Sequence, residues 1–438
     1  DPEGRETQKA IERLLGRKIG GVSFSQQYIW RGDLSPQKYL QLTRELGNSL
    51  IHNFRLLENN NTKDNESPTN SLSYIRVLKS PQLKLPSQSS AQNNFEYLNI
   101  NLDDQRLLRL SEERLLALNL PEMQAIRKLF SDPNYLSQRK EQSLESSITD
   151  AELESIAQSW SEHCIHKKFN AIWEYQSDDP QDSSGLAPII DSLFKSIIKE
   201  NTYKISKKVD WLLSVFEDNA GVIKLNDKWT IAHKVETHNF PSTLDPFGGA
   251  NTGSGGVFRD PKSTGIGMKV ISSQYAFRIA NPASYKDLPP EIIPPGKILQ
   301  GVVAGVEDYG NKMGIPTACG NVFVDDGWLK CAVYVGAVAI APLKVGNSFT
   351  YQKEVKPGYI ALNLGGRVGK DGIHGATASS QGQNSNAEED LQVNQAVQIG
   401  DPIIEKNVFE VMDVLRDNGF IQATQDCGAG GWNSAIGE

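Results

Sequence analysis

Residues 234–260 combine an acid, a base and cations with many glycines, in KVETHNFPSTLDPFGGANTGSGGVFRD. If residues 230–239 form a strand, the side chains alternate between its faces, so that Lys234, Glu236 and His238 share one face. Such a row of a cation, a carboxylate and an imidazole could bind an anionic ligand and transfer a proton. A solvated face of an antiparallel strand would carry the same row, so the strand alone does not decide between the two interpretations.

Glycines are concentrated in the second part of this segment. PFGGANTGSGG contains five of them in eleven residues. Because glycine has no Cβ, successive N–H groups in such a loop can approach a phosphate closely and surround it. A flexible hairpin loop would have the same composition, and the spacing matches neither the Walker A loop nor G-x-G-x-x-G. The candidates for phosphate contact are Gly253, Gly255 and Gly256.

Three carboxylates lie in glycine-rich surroundings, which favours a magnesium–nucleotide site over three unrelated surface acids. Arg259 and Asp260 end the glycine segment; an arginine can hold phosphate oxygens, and an aspartate beside phosphates typically binds Mg²⁺. A surface ion pair is the alternative for these two residues. Asp426, in QDCGAGG, is predicted to end a strand, and the glycines after it lead into a predicted helix whose N-terminus suits a phosphate. Together with Glu236, these residues give three candidate magnesium ligands: Glu236, Asp260 and Asp426.

Histidines are scarce in the chain and recur in its motifs. Of the six histidines, four fall in glycine-rich or helical motifs: His163, His166, His238 and His374. In TDAELESIAQSWSEHC, Thr149 and Glu152 have the spacing of a helix capping box. A helix that begins there would place His163 and His166 on its polar face, near its end. This concentration favours acid–base or substrate-orienting work for at least one histidine, although a single histidine is more often structural.

Composition and charge are those of an ordinary folded protein with several domains. The 438 residues carry a net charge of −8, which gives no general attraction to nucleic acid or to an anionic membrane. The longest apolar run, CAVYVGAVAIAPL, is shorter than the roughly 18–20 residues of a membrane span and predicts a buried strand. The four cysteines are scattered, so the sequence predicts neither a disulfide framework nor a zinc site. It predicts a location in the reducing cytoplasm.

The elements that must position these motifs fall into four regions. A small α+β unit precedes residue 100. A helical region follows, with a helix at residues 111–130 that is broken by Pro121 and another that begins at Thr149. A mixed α/β region begins near residue 189, with strands near residues 228–239, 301–307 and 330–341. A further unit opens near residue 356, contains a helix at 402–418 and stops at Glu438, which predicts a fragment or one half of something larger.

Six motifs then give a specific resemblance: WSEHCIHKKFNA, KVETHNFPSTLDPFGGANTGSGGVFRD, GIPTACGN, GRVGKDGIHGATASS, VQIGDPIIEKN and QDCGAGG. In this order they resemble the synthetase part of the phosphoribosylformylglycinamidine synthase family, also called FGAR amidotransferases. The resemblance covers the chain from about residue 107 to its end. An additional small domain at the N-terminus is similar to the long, fused form of the family, of which this chain would be the N-terminal part.

The resemblance implies an α+β fold with four domains. Residues 1–105 would form a small PurS-like domain, and residues 106–188 a helical linker domain. Residues 189–345 would form the N-terminal, ATP-binding domain of an aminoimidazole ribonucleotide synthetase (PurM)-like unit. Residues 346–438 would begin the C-terminal domain of that unit and leave it incomplete.

The resemblance also implies a reaction of purine biosynthesis. ATP would phosphorylate the amide oxygen of formylglycinamide ribonucleotide (FGAR), and ammonia from a glutaminase domain or subunit would displace the phosphate. The implied cofactors are ATP and Mg²⁺, and the implied partners are that glutaminase and the second half of the synthetase, with no nucleic acid and no membrane. The alternatives are a non-catalytic nucleotide-binding scaffold subunit and another ATP-dependent member of the aminoimidazole ribonucleotide synthetase superfamily.

Residue roles follow from matching positions in the family motifs. The matched catalytic residues are His163 and His238. The matched ATP-contacting residues are His166, Lys234, Gly253, Gly255 and Gly256. The matched substrate-contacting residues are Thr237, Asn239, Arg259 and Gln398, and the matched magnesium ligands are Glu236, Asp260 and Asp426. One departure is Phe240, which stands where the family usually has a second histidine and which cannot form that hydrogen bond.

Overall fold

The computed structural model describes residues 95–283, 288–289, 292–366, 372–380 and 397–438, together with three short strands and residues 11–12, 17 and 35 nearer the N-terminus. The three strands form an antiparallel sheet in the order β1-β3-β2. They are β1 (Gln27–Arg31), β2 (Arg55–Leu57) and β3 (Leu72–Arg76). The sequence also predicts helices and loops before residue 95, and these lie outside the described residues.

A helical region with its own hydrophobic core follows. Two short antiparallel strands close it: β4 (Tyr97–Leu98) and β5 (Ile148–Thr149). Its four main helices are α1 (Asp104–Glu113), α2 (Leu120–Leu129), α3 (Pro133–Glu141) and α4 (Asp150–Ser159). Leu107, Met123, Ile126 and Leu153 are almost fully buried between them, and burial of each such side chain contributes about 1.5–3 kcal/mol. Pro121 lies in the first turn of α2, where proline is tolerated, so the predicted break comes before it.

The predicted capping box at the start of α4 is confirmed. The Thr149 hydroxyl accepts a hydrogen bond from the Glu152 N–H at 3.1 Å, and the Glu152 carboxylate accepts one from the Thr149 N–H at 2.8 Å. Arg139, whose side chain is 5% exposed, forms an ion pair with the same carboxylate at 2.6 Å. These contacts fix the start of the helix that leads to the first histidine motif.

The helix does not continue through that motif, contrary to the prediction. It ends at Ser159, and the Ser161 hydroxyl caps a separate short helix, α5 (Glu162–Ile165). His166 follows in the left-handed conformation, with φ 48°, before α6 (Lys167–Asn170). The prediction that His163 and His166 share one helical face is therefore wrong, because the chain changes direction at His166.

A six-stranded sheet forms the centre of the molecule's larger core. Its order is β12-β11-β13-β10-β9-β8, antiparallel except for the pair β11 and β12. The strands are β8 (Leu212–Ser214), β9 (Gly221–Lys224), β10 (Trp229–Thr237), β11 (Lys269–Ile279), β12 (Thr317–Val324) and β13 (Ala332–Pro342). The predicted strands near residues 228–239 and 330–341 are confirmed as β10 and β13, which pair with each other. Before this sheet lie the pair β6 (Ile172–Glu174) and β7 (Ile189–Asp191), a π-helix (Phe194–Lys199) and α7 (Glu200–Ser206).

Three helices cover one face of this sheet. They are α8 (Asn239–Leu244), α9 (Pro246–Lys262) and α10 (Pro295–Met313). The strand predicted near residues 301–307 is wrong, since these residues lie in α10. Ile298, Val302, Val306 and Tyr309 are buried at helical spacing and pack against the sheet. The short apolar run GVVAGVE could not by itself distinguish a strand from a buried helix.

The predicted glycine-rich loop is also wrong, because PFGGANTGSGG forms the first eleven of the 17 residues of α9. Glycine disfavours a helix by about 1 kcal/mol relative to alanine, so packing against neighbouring elements must compensate. A Cβ on Gly301 of α10 would lie 2.6 Å from the Pro246 side chain, and one on Gly305 would meet the Phe247 carbonyl oxygen. Helices α9 and α10 therefore approach more closely than residues with side chains at these positions would allow.

The C-terminal part packs onto α9 through charged side chains. Its elements are β14 (Lys344–Val345), β15 (Ser348–Phe349), α11 (Gly375–Ala378), α12 (Pro402–Asp417) and α13 (Gly431–Gly437). The buried Lys262 ammonium of α9 lies 2.6 Å from Asp413 of α12. The predicted helix at 402–418 is confirmed as α12. The strand predicted to end at Asp426 is wrong, because the structure has no strand at residues 418–430, whereas the helix predicted after the glycines is confirmed as α13. No helix among the described residues is long and apolar enough to span a membrane.

Candidate active site

Helix α9 lies along the polar row of β10, and the spacing of the two elements matches. Lys234 and Glu236 are half-buried on the face of β10 that α9 covers, whereas Val235 and Thr237 are exposed on the other face. A Cβ on Gly253 would lie 2.9 Å from the His238 Cβ, and one on Gly256 would lie 3.6 Å from Glu236 Oε2. His238 follows the last residue of β10 on the same side as Glu236. The predicted row of three side chains on one face is therefore confirmed.

These contacts explain why the segment needs bare backbone. Gly253 and Gly256 are three residues apart on one side of α9 and allow the helix to lie directly over two polar side chains. Gly255 faces the other way, where a Cβ would lie 2.6 Å from the Tyr309 hydroxyl. Because N–H groups inside a helix donate to carbonyl oxygens four residues earlier, a loop that surrounds a phosphate is not formed here. The predicted contacts of Gly253, Gly255 and Gly256 with ATP stay predictions.

His238 is held in one orientation by hydrogen bonds to β13 and α9. Its backbone N–H donates to the Val333 carbonyl at 2.8 Å, and its Nδ1 lies 2.5 Å from the Gly249 carbonyl oxygen. Since that oxygen can only accept, Nδ1 carries a proton and Nε2 keeps its lone pair. Burial lowers the pKa of His238 to about 4, although the hydrogen bond to Gly249 opposes this shift. The imidazole is therefore neutral at pH 7 and can accept a proton at Nε2.

A chain of ion pairs runs from β10 to the segment before α13. The Lys234 ammonium lies 2.6 Å from Asp260 Oδ2, and Arg259 Nη2 lies 3.6 Å from Asp260 Oδ1. Arg259 Nε also donates to Asp426 Oδ2 at 2.7 Å. Burial opposes the charge of Lys234, but the adjacent Asp260 outweighs burial and raises the pKa of Lys234. Burial raises the pKa of Asp260, and its two cationic neighbours oppose that shift.

The carboxylates fit a magnesium ion that a nucleotide brings, but not a metal cage built by the protein. Among the described residues, no group of three or more His, Cys, Asp or Glu side chains is arranged to hold a metal. Asp260 and Asp426 are close to each other through Arg259, and Glu236 is near enough to influence Asp260 electrostatically. Mg²⁺ usually takes one or two carboxylates together with phosphate oxygens and water. The donor set is therefore suitable for Mg²⁺ only in combination with phosphate.

The linker helices reach the C-terminal motifs. Gln158 of α4 accepts a hydrogen bond from the Gly430 N–H at 2.8 Å, and its amide nitrogen donates to the Ile373 carbonyl. The Glu162 N–H donates to the Ser380 hydroxyl at 3.0 Å. These bonds join the first histidine motif to the motifs GRVGKDGIHGATASS and QDCGAGG. His163, at the end of this region, is exposed and close enough for its charge to influence the pKa of His238.

The other predicted site residues lie at varying distances from this cluster. Thr237 is exposed at the end of β10. The Asn239 side-chain oxygen accepts from the Val333 N–H at 2.8 Å, so that oxygen supports the strand–helix junction. The Gln398 carbonyl accepts from the Thr252 hydroxyl at 2.8 Å, while its side chain is exposed. His166 is exposed in the linker turn.

One acidic residue of the site escaped the sequence reasoning. Glu405 of α12 is half-buried, and its carboxylate accepts a hydrogen bond from the Tyr309 hydroxyl of α10. Burial raises the pKa of Glu405 to about 7, while Tyr309 and Arg259 oppose that shift. A signal was present in the sequence: Glu405 is three residues after Pro402 and four before Phe409, both buried. A carboxylate in the buried stripe of an amphipathic helix requires a partner.

Three family models match the chain in sequence. The Formylglycinamide ribonucleotide amidotransferase linker domain matches residues 107–167. The N-terminal domain of AIR synthase related protein matches residues 217–341, and the C-terminal domain of AIR synthase related protein matches residues 356–438. Each match lies within one of the predicted domains, whose exact boundaries stay predictions.

Similar curated proteins are subunits of one enzyme. The chain is 32% identical over 337 residues to phosphoribosylformylglycinamidine synthase subunit PurL of Thermoplasma acidophilum, covering 77% of this chain and 38% of that protein. It is 32% identical over 227 residues to the subunit of the same name from Thermotoga maritima, covering 51% of this chain and 33% of that protein. A solved structure described as T. maritima PurL complexed with FGAR matches with a TM-score of 0.44 and 26% identity, covering 69% of this chain and 40% of the other. The chain thus spans well under half the length of these relatives.

Proposed function

Because the chain carries the linker domain of the formylglycinamide ribonucleotide amidotransferases followed by both AIR synthase related domains, we propose that it is part of an ATP-dependent carbon–nitrogen ligase. The substrate is FGAR, and the nitrogen is ammonia derived from glutamine. The products are formylglycinamidine ribonucleotide, ADP and phosphate. The reaction belongs to purine biosynthesis, which places the protein in the cytoplasm.

The observation that carries this proposal is the row of Lys234, Glu236 and His238 beneath α9. It joins a proton acceptor to a set of alternating charges within one surface. Transfer of a phosphoryl group depends mainly on positioning and on neutralisation of charge. Lys234 and Arg259 supply the positive charges, and the carboxylates fix the orientation of both cations. The geometry thus suits a reaction in which a phosphoryl group is transferred to the amide oxygen of the substrate and then leaves with that oxygen as phosphate.

The reaction has two stages, phosphorylation of FGAR and displacement of the phosphate by ammonia. The amide oxygen of FGAR attacks the γ-phosphorus of ATP, and ADP leaves. Ammonia then adds to the carbon of the phosphorylated amide, and the bond between that carbon and the phosphorylated oxygen breaks to release phosphate. Neutral His238, with Nε2 unprotonated, takes a proton from the incoming nitrogen, so that the amidine can form. Arg259 binds the anionic part of FGAR or the phosphate that forms on it.

Nucleotide-bound Mg²⁺ would be held by Asp260, Asp426 and Glu236, and it would neutralise charge on the phosphates during transfer. Lys234 keeps Asp260 oriented toward the site. In this proposal His166 faces the nucleotide, while Asn239 and Gln398 face FGAR. The glycines of α9 let that helix pack closely on β10 and Tyr309. His163, which approaches from the linker, assists His238.

The uncovered face of the central sheet suits the second half of the synthetase. On the face opposite α9 and α10, Val235, Ile223, Trp229 and Ile271 are each at least 38% exposed. The edge strand β12 is exposed along its entire length. An apolar face of this kind requires a covering partner in a folded assembly. We propose that the second synthetase half, in the same polypeptide or another, covers it.

The proposal is tested by release of ADP from the purified native assembly. The assembly is given Mg-ATP with and without FGAR, each in the presence of glutamine, ammonium or neither. We expect FGAR-dependent ADP with ammonium, and with glutamine if a glutaminase is part of the assembly. Absence of FGAR-dependent ADP from an intact assembly would refute the ligase and favour a scaffold or a related ATP-dependent enzyme.

A further inference from the structure

Arg259 is paired with two of the three acids that the proposed function assigns to magnesium. Its Nε donates to Asp426 at 2.7 Å, and its Nη2 lies 3.6 Å from Asp260. A divalent cation bound by the same two carboxylates would compete with the guanidinium for their negative charge and would repel it. Arg259 therefore needs another anionic partner if it is to stay in the site with the metal present.

Glu405 is placed to be that partner. Its oxygen Oε2 accepts the Tyr309 hydroxyl, whereas its oxygen Oε1 is buried and has no hydrogen-bond partner. A buried carboxylate oxygen without a donor is costly and requires an explanation. Arg259 is one turn of α9 after Gly255, whose Cβ position meets the Tyr309 hydroxyl, so Arg259 lies on the side of α9 that faces Tyr309 and Glu405. Arg259 opposes the rise in the pKa of Glu405, and Glu405 helps to raise the pKa of Arg259.

The surroundings hold Glu405 in place. Tyr309 is 2% exposed and lies between two glycines, since a Cβ on either Gly255 or Gly400 would come within 2.6 Å of its ring or hydroxyl. Tyr309, which orients Glu405, thus fills the space that side chains at positions 255 and 400 would take. The same segment carries Gln398, whose carbonyl accepts from Thr252 of α9, so Glu405 lies beside the proposed FGAR-facing side.

We propose that Glu405, oriented by Tyr309, is a positioning residue that binds Arg259 when Asp260 and Asp426 engage the metal. This inference rests on the proposed function. In the structure Arg259 is held by the metal-binding acids, and in the complex it is held by Glu405. Arg259 can then bind FGAR while Asp260 and Asp426 bind the metal.

The test compares Glu405→Gln with Glu410→Gln in the full assembly. Glutamine keeps the volume and can still accept from Tyr309, but it presents no carboxylate to Arg259. Glu410 is an exposed acid of the same helix and serves as the matched control. Two quantities are measured: the affinity for Mn²⁺ with ADP at the concentration of the assembly, from the electron paramagnetic resonance of free Mn²⁺ against a protein-free sample, and the KM values for FGAR and ATP.

For Glu405→Gln we expect Mn²⁺ to bind about three- to tenfold more weakly, because Arg259 stays on Asp426, and the FGAR KM to rise about tenfold or more. The Mg-ATP KM should rise by no more than the factor for Mn²⁺, because the nucleotide keeps its other contacts, and all values for Glu410→Gln should stay within about twofold. Tyr309→Phe, which keeps the carboxylate but releases it, should change the same two quantities by a smaller factor, and it replaces Glu405→Gln if that variant does not fold.

Unchanged Mn²⁺ affinity and FGAR KM in the folded variants would overturn the inference. A loss of the same size in Glu410→Gln, or a loss accompanied by a lower melting temperature, would also overturn it, since a general structural defect would produce that result. The wild-type protein separates this from the proposed function: if it binds Mn²⁺ but releases no FGAR-dependent ADP, the ligase proposal fails, whereas the Mn²⁺ comparison still tests Glu405.

Discussion

Replacing His238 with asparagine should lower FGAR-dependent ADP release by about 10²–10⁴-fold, the usual contribution of a positioned acid or base. The asparagine amide nitrogen matches the position of imidazole Nδ1, so it can still donate to the Gly249 carbonyl that His238 contacts at 2.5 Å. It lacks any atom at the position of Nε2. The variant therefore keeps the anchor and removes only the group that accepts a proton.

His233→Asn is the matched control for this prediction. His233 lies in β10, five residues before His238, but it is exposed on the face away from α9. Its replacement should leave turnover within about twofold when the assembly has the same mass. If His238→Asn kept wild-type turnover, His238 would have no part in proton transfer. If it lost turnover together with its melting transition, the residue would be structural.

Replacing Gly253 with alanine should lower turnover by about 10–100-fold. The new Cβ would lie 2.9 Å from the His238 Cβ and 3.1 Å from its Cγ, so α9 or the imidazole must move. A displacement of about 1 Å at a catalytic group can cost about 10²-fold in rate. Overpacking of this kind costs about 1–3 kcal/mol, and the higher helix propensity of alanine offsets about 1 kcal/mol of it. We therefore expect a clear loss of turnover with only a small change in the free energy of unfolding.

Gly256→Ala distinguishes close packing from a general need for glycine. Its Cβ would make only an ordinary contact, at 3.6 Å from Glu236 Oε2. We expect its melting temperature to equal or exceed that of the wild-type protein, and its turnover to stay within about threefold, because alanine favours the helix. Equal damage from both substitutions would contradict the packing account and would favour a role of the glycine backbone in binding phosphate.

Local patterns in the sequence predicted the elements whose residues alternate or repeat without interruption. The short apolar run CAVYVGAVAIAPL predicts β13, and the predicted helix at residues 402–418 agrees with α12 to within one residue. The row of Lys234, Glu236 and His238 followed from strand geometry alone. These features depend on residues close together in the chain.

Where the predictions fail, the main physical cause is that tertiary packing outweighs local preference. The sequence predicts a loop at α9 because glycine has low helix propensity, although Gly249, Gly253 and Gly256 are spaced by four and three residues, as on one side of a helix. The strand predicted within α10 has another origin, since the short apolar run GVVAGVE fits a strand and a buried helix equally well. No local pattern could show that Arg259 pairs with Asp426, which is 167 residues away.

The central claim is that FGAR is activated by phosphorylation of its amide oxygen at this site. It is tested most directly with FGAR labelled with ¹⁸O at the glycinamide carbonyl that becomes the amidine. The native assembly is supplied with Mg-ATP and ammonium, and the released phosphate is analysed by mass spectrometry. If the oxygen attacks ATP, each phosphate formed with the amidine carries the label. Unlabelled phosphate would show that ATP is hydrolysed by water instead, and would contradict the account.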